Sequence, residues 1–330
     1  MGQQIVVWGA GSWGTALALA ALQTGAAVTL IGRDASRMDQ MRQLRCNHRY
    51  LPDIALPAAL QIRADTDALQ PADLVLIASP FAGLAAAFCQ LKKRNQSPAT
   101  PIIWVAKGLD ASTGELAHEL AARLLPGRPV GILSGPSFAI EVAQGLPCAL
   151  TVASTSAAVQ TAAVTAFHSS AMRVYRSDDV AGVEVGGAVK NVIAIAAGVC
   201  DGLAFGLNAR AALITRGLAE MSRLAVALGG REQTLAGLTG LGDLVLTATG
   251  ATSRNRRYGL QLAAGKTPAQ LASSGEPLAE GARCAQAIVD RANAAGIDMP
   301  ITRCVADIIN GQLNPADAAQ QLLARQARME

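Results

Sequence analysis

Aromatic residues make up only 3% of this 330-residue chain, and histidines number three. Each shortage excludes something. With so few rings, the core must come from close contacts between small apolar side chains, because 51% of the residues are hydrophobic and alanine supplies much of that share. The six cysteines, at 46, 89, 148, 200, 284 and 304, include no C-x-x-C and no pair at metal-ligand spacing, which argues against a zinc site. With no signal peptide either, a reduced, cytoplasmic protein is expected. His48, His118 and His168 all lie in the first 168 residues, so proton transfer in the second half needs another donor. No uninterrupted apolar run reaches about 18 residues, and no membrane span is expected. Charge is sparse as well, at 16% of residues and a net +4, with SRNRR (253–257) a tight basic cluster. That balance points away from nucleic acid and fits a small anionic substrate.

At roughly 150 residues per domain, the length implies about two domains. The first half alternates. Strand-like runs IVVW (5–8), VTLIG (28–32), DLVLIASP (73–80), IIWVAKG (102–108), VGILSGPS (130–137), CALTVAS (148–154) and MRVY (172–175) are separated by helical stretches. Continuous apolar strands alternating with helices read as α/β, with a Rossmann-type doubly wound parallel sheet. After about residue 180 the strand-like runs largely stop. Ala/Leu/Ile segments at 183–200, 208–228, 254–264, 280–295, 301–310 and 315–327 read as an all-helical C-terminal domain. The expected domains are 1–178 and 179–330, and the apolar helices of the second point to a homodimer.

Gly9, Gly11 and Gly14 form G-x-G-x-x-G between the first strand and the first helix, the context that gives this motif its meaning. Gly9 permits a tight turn, Gly11 lets backbone approach a pyrophosphate, and Gly14 lets helix pack on strand. Asp34 lies twenty residues past Gly14, at the distance of an acid that holds the adenine ribose of NAD. Arg33 precedes it and suits a 2′-phosphate. NADP is therefore favoured with NAD tolerated, while a solvated turn residue is the plainer reading of Arg33.

Ligands of such sheets sit beyond the carboxyl ends of the strands, where Lys107 and the SGPS turn with Ser137 fall. Ser137 reads equally as an N-cap of the next helix. In the second domain Lys190 stands in an apolar helix, where an ammonium is costly unless it meets water, an anion or a ligand. Gly186 and Gly187, one turn back, leave room for something to approach it, and Asn191 follows. Asp243 sits in a glycine turn, and SRNRR supplies Arg254, whose guanidinium suits a phosphate. The bland alternatives are a snorkelling lysine, a turn aspartate and a solvated basic helix end.

The segments WGAGSWGTALA (8–18), VAKGLD (105–110), SGPSFAIEVAQGLP (134–147), GVEVGGAVKNVIAIAAG (182–198), NARAALITRGLAEMSRL (208–224), GLGDLVLT (240–247) and SRNRRYG (253–259), with the EG at 280–281, carry a resemblance. Along nearly its whole length the chain resembles the bacterial NAD(P)-dependent glycerol-3-phosphate dehydrogenases. The resemblance implies interconversion of dihydroxyacetone phosphate and sn-glycerol 3-phosphate. It implies Lys190 as the acid/base, and a substrate site of Lys107, Gly135, Ser137, Asp243, Ser253, Arg254 and Asn255. It also implies nucleotide contacts from Ser12, Trp13, Arg33, Lys107, Ala139, Arg254, Leu278 and Glu280, with Thr247 supporting the network. Two rivals stand beside it: a β-hydroxyacid dehydrogenase, which also carries a Lys–Asn pair on a helix, and a nucleotide sensor without turnover.

Overall fold

In a computed structural model of the chain, which describes residues 2–64, 71–93, 97–273 and 278–324, the first half builds one eight-stranded sheet and a separate two-stranded hairpin. The strands are β1 Gln4–Trp8, β2 Ala27–Gly32, β3 Cys46–Asn47, β4 Leu51–Ala55, β5 Gln61–Ala64, β6 Leu74–Ile77, β7 Ile102–Trp104, β8 Val130–Ser134, β9 Cys148–Ala153 and β10 Met172–Ser177. The sheet order is β10-β9-β8-β7-β6-β1-β2-β5, and β3 pairs with β4. Every pair in the large sheet is parallel except β8 with β9. The expected wholly parallel sheet is corrected at that one pair. The connection between Ser134 and Cys148 holds a turn and the five-residue α5 rather than a full crossover helix, and the two strands pair antiparallel.

Helices α1 Ser12–Gln23, α2 Ala35–Leu44, α3 Leu84–Lys93, α4 Ala117–Leu124, α5 Ala139–Ala143 and α6 Ala157–Phe167 accompany the sheet. The central strands are apolar at every position (Leu74–Ile77 and Ile102–Trp104 are fully buried) because a sheet flanked by crossover helices has little wet face. β1 lies between β2 and β6, so connections leave it in opposite directions. That reversal opens a crevice at the carboxyl ends of the strands.

The remaining helices are α7 Val180–Gly202, α8 Gly206–Ala227, α9 Glu232–Leu235, α10 Asp243–Thr249, α11 Arg254–Ala263, α12 Pro268–Ser273, α13 Glu280–Ala294, α14 Pro300–Ile309 and α15 Pro315–Leu323. The chain divides into two compact units, one of Met1–Lys107 with Ala117–Val180, the other of Gly108–Leu116 with Ala181–Glu330. The short segment Gly108–Leu116 thus groups with the helices, its Leu109 and Leu116 joining their core.

α7 is the axis of the helical unit. Residues 182–200 are all buried, and the helix is long and apolar enough to cross a membrane by length and composition. The apolar run is broken only by Glu184, Lys190 and Asn191, which is why it escapes a search for uninterrupted runs. Small residues let neighbours approach its backbone. A Cβ on Gly198 would stand 2.0 Å from the Arg256 carbonyl oxygen, and one on Gly259 of α11 would stand 2.1 Å from that of Ile195. α7 and α11 therefore cross with main chain against main chain, and neither glycine admits a side chain without backbone movement.

Candidate active site

In the sheet unit the glycine loop follows β1. Gly9 has φ +123°, and a Cβ there would meet the Ala78 carbonyl oxygen at 2.6 Å. Its N–H donates to the Ile31 carbonyl at 2.8 Å. A Cβ on Gly14 would lie 1.9 Å from the Gly9 carbonyl oxygen, so α1 starts directly against the loop. Gly11 differs: nothing lies within 4 Å of its Cβ position. It is the N-cap of α1 and offers no side-chain cap, so the first turn of α1 presents N–H groups that no side chain caps, at a helix end that favours anions. Nearby, at the carboxyl end of β6, the Ser79 hydroxyl is buried with no partner. A bare glycine, an anion-seeking helix end and an orphaned hydroxyl fit a dinucleotide pyrophosphate.

At the end of β2, Arg33 and Asp34 are both exposed. Asp34 is the N-cap of α2, its Oδ1 accepting from the Arg37 N–H at 3.0 Å. The acid at ribose distance is thus engaged in capping its own helix, and Arg33 is exposed beside it.

The β7 and β8 ends bring Lys107, Gly135 and Ser137 together. Lys107 Nζ donates to the Gly135 carbonyl at 3.4 Å, and Ser137 Oγ donates to the same oxygen at 3.1 Å. Gly135 has φ +137°, a conformation that keeps this position glycine. Phe138, not Ser137, is the N-cap of α5, which begins at Ala139. The N-cap reading of Ser137 is therefore corrected: its hydroxyl turns back to the strand-end carbonyl.

In the helical unit Lys190 Nζ donates to Asp243 Oδ1 at 2.6 Å and to Thr247 Oγ1 at 2.8 Å. All three residues are buried, Lys190 at 6% exposure and Asp243 at 1%. Thr247 in turn donates to the Asp243 carbonyl at 2.7 Å, the i, i−4 spacing of α10. The snorkelling alternative for Lys190 falls, since its ammonium ends on a buried carboxylate. The turn that delivers Asp243 is a π-helical one, Leu238–Gly242. A Cβ on Gly186 would lie 2.5 Å from the Thr239 carbonyl oxygen. The glycine expected to leave space for a ligand is filled by this turn.

Asn191 and Asn255 form a chain of amides. Asn191 Nδ2 donates to the Gly187 carbonyl at 3.2 Å, Asn255 Nδ2 donates to Asn191 Oδ1 at 2.8 Å, and Asn255 Oδ1 accepts from the Gly281 N–H at 3.0 Å. The Asn255 side chain is thus engaged at both ends within the protein, leaving its backbone N–H at the start of α11. Ser253 caps that helix, accepting from the Arg256 N–H at 3.2 Å. Arg254 is exposed at its first position. Asp201 holds α11 from α7, accepting from Arg256 Nη2 at 2.7 Å and from Arg210 Nη1 at 3.1 Å. Leu278 and Glu280 flank the start of α13 and are half-buried. Beside them burial pushes the Cys284 thiol up to about 12, so it is no nucleophile near neutral pH. Among the described residues, no group of three or more His, Cys, Asp or Glu could hold a metal ion.

A Rossmann-type sheet with an open glycine loop, continued into a helical unit that buries a lysine on an aspartate, defines a nicotinamide-dinucleotide dehydrogenase. Family models described as NAD-dependent glycerol-3-phosphate dehydrogenase N-terminus and C-terminus match residues 4–160 and 179–320, and the chain belongs to that family. It is 52% identical over 331 residues to a glycerol-3-phosphate dehydrogenase (NAD(P)+) of Acidovorax sp. (strain JS42), covering 99% of each chain. A relative of the same name from Methylibium petroleiphilum is also 52% identical, over 333 residues, with 99% of this chain and 98% of the relative covered. The crystal structure of glycerol-3-phosphate dehydrogenase from Coxiella burnetii superposes with a TM-score of 0.92 at 40% identity, covering 98% of this chain and 99% of that one.

Proposed function

We propose that the protein interconverts dihydroxyacetone phosphate and sn-glycerol 3-phosphate, with Lys190 as the proton donor and acceptor. The observation that carries the reading is the buried Lys190–Asp243 pair at 2.6 Å within a chain of this family. NAD(P)H, held by the glycine loop, would supply the hydride that reduction of the substrate's central carbonyl needs. The carbonyl oxygen then carries an extra electron pair, and the Lys190 ammonium gives it a proton. In the oxidative direction the neutral amine takes that proton back. A positioned acid of this kind contributes roughly 10²–10⁴-fold to rate. Asp243 and Thr247 hold the amine in one orientation from one side, and a carboxylate so close favours the protonated form that reduction needs. That protonation state serves reduction, and hence supply of sn-glycerol 3-phosphate for phospholipid synthesis.

The substrate phosphate is assigned to the start of α11. Arg254 offers a guanidinium there and the first-turn N–H groups offer donors. Lys107, Gly135 and Ser137 are assigned to the substrate as well. Ser12, Trp13, Arg33, Lys107, Ala139, Arg254, Leu278 and Glu280 are assigned to the dinucleotide with the glycine loop. NADPH is favoured over NADH because Asp34 is engaged as a cap while Arg33 is exposed beside it.

Two further parts of the reading concern its setting. Phe205, Leu207 and Leu323 are large, apolar and exposed in the helical unit, which supports pairing of two copies. The six cysteines are all free thiols, which supports a reducing, cytoplasmic setting. The deciding experiment follows reduced-nicotinamide absorbance on adding dihydroxyacetone phosphate, with NADH and NADPH side by side. Loss of absorbance is expected, faster with NADPH. No loss with either cofactor would overturn the activity, and a β-hydroxyacid oxidised instead would move it to the rival class.

A further inference from the structure

The hairpin β3–β4 lies outside the main sheet, yet one of its residues is among the most buried polar groups of the sheet unit. Asn47 has 0% exposure. Its Nδ2 donates to the Ala10 carbonyl at 3.3 Å and to Thr15 Oγ1 at 2.8 Å. Ala10 lies between Gly9 and Gly11, and Thr15 directly follows Gly14, so a single amide group spans the glycine motif from its loop to its helix. The polarity is fixed by chemistry: the Ala10 carbonyl only accepts, so the amide nitrogen must face it. The amide oxygen, meanwhile, is buried with no partner. A side chain that leaves its own acceptor orphaned is held there for its two N–H groups.

The hairpin is built to deliver this residue. Arg45 adopts a left-handed conformation (φ 48°) and its guanidinium donates to the carbonyls of Leu56, Pro57 and Leu60. The β3–β4 register shifts between Cys46 and Asn47, which turns Asn47 inward. The Tyr50 N–H closes the turn on the Asn47 carbonyl at 3.0 Å.

We infer that Asn47 is a positioning residue for dinucleotide binding, acting through the glycine loop. It fixes Ala10 and Thr15, and between them lie Gly11 and the free N–H groups at the start of α1. A loop prepared in its binding shape avoids the ordering cost that a loose loop meets when the pyrophosphate arrives. The inference rests on the dehydrogenase reading for the identity of the ligand, but it concerns the dinucleotide alone and not the phosphorylated substrate.

The test uses Asn47→Ala, the isosteric Asn47→Asp, and Thr15→Val, which removes one acceptor and keeps the shape. NADPH affinity is measured by fluorescence titration without substrate. Amide hydrogen exchange is followed over residues 9–15, and KM is measured separately for NADPH and dihydroxyacetone phosphate. Asn47→Ala is expected to weaken NADPH about tenfold, from the loss of two hydrogen bonds. Asn47→Asp weakens it further, because its carboxylate faces the Ala10 carbonyl. Thr15→Val weakens it about threefold. Exchange over 9–15 speeds up in all three, and KM for dihydroxyacetone phosphate stays within about twofold. Asn47 variants that fold and bind NADPH as the wild type does would overturn the inference. So would equal losses in both KM values, which mark a general loss of fold. If both Asn47 variants fail to fold, Thr15→Val decides alone, and wild-type affinity with unchanged exchange would overturn it. If the wild-type chain itself binds neither NADPH nor NADH, the dehydrogenase reading fails instead.

Discussion

Lys190 and Asp243, 53 residues apart in the chain, meet at 2.6 Å with their side chains only 8% and 2% exposed. Each is costly alone in that setting, and removing one partner leaves the other charge uncompensated. Asp243→Ala is therefore expected to destabilise the protein by about 3–5 kcal/mol, read from urea unfolding. Lys190→Met replaces the ammonium by an apolar chain of similar length. It should lower kcat about 10²–10⁴-fold while NADPH affinity, measured by fluorescence titration, stays near wild type. Near-normal turnover in Lys190→Met would end the acid/base assignment.

Gly186 links that pair to the path of the chain. Its missing Cβ is what lets the Leu238–Gly242 turn lie on α7, with the Thr239 carbonyl oxygen 2.5 Å from where the Cβ would be. The obstacle is backbone, so a methyl group cannot be absorbed by a rotamer change. Gly186→Ala should cost about 1–3 kcal/mol in unfolding experiments, the range of an overpacked core. Because the same turn leads straight into Asp243, kcat should fall as well. Wild-type stability in this variant would show that the turn moves freely.

Most of the sheet was legible because its buried parallel strands are continuous apolar runs: IVVW, VTLIG, VGILS and CALTVA read off as β1, β2, β8 and β9. What escaped follows from the same rule. β5 (QIRA) is an edge strand with two polar residues, and β3 has only two residues, too few for any period. The glycines of the dinucleotide loop were legible because their role is backbone geometry at fixed spacing. Asn47 was not, since a buried asparagine on a hairpin has no sequence signature and its partners lie 32 and 37 residues away. Lys190 and Asp243 stood out as charges among apolar and glycine-rich neighbours. Their direct pairing needed the fold, and so did the discovery that the Asn255 carboxamide is engaged with Asn191 and Gly281.

Arg33 makes the cofactor preference testable. The Asp34 carboxylate accepts from the Arg37 N–H, and the Arg37 guanidinium lies 5.3 Å over the Tyr50 ring. Arg33 is an exposed cation at the end of β2, assigned above to the dinucleotide. Arg33→Ala should raise KM for NADPH about tenfold, the loss of one charge-assisted contact, and leave KM for NADH within about twofold. Equal effects on both cofactors would assign Arg33 to adenine stacking rather than to the phosphate.

Glu220 carries a pH prediction independent of catalysis. α14 begins after Met299, which provides no side-chain cap, and Glu220 reaches across from α8 to do that work. Its oxygens accept from the Ile301 N–H at 2.6 Å, the Thr302 N–H at 3.1 Å and the Thr302 hydroxyl at 2.8 Å. Burial raises its carboxyl above the ordinary 4.5 even against those donors and the Arg223 charge. The folded chain then keeps this proton to higher pH than the unfolded chain, so the associated stability is fully present below 4.5 and declines as pH rises through the raised value. Glu220→Gln cannot titrate, and its amide turns N–H groups toward N–H donors. It should cost about 1–3 kcal/mol at acid pH, with the gap to wild type narrowing as pH rises toward neutrality. Urea unfolding of both proteins across that range measures the gap. A gap that widens with pH would mean that the three donors outweigh burial and that the folded carboxyl is the stronger acid.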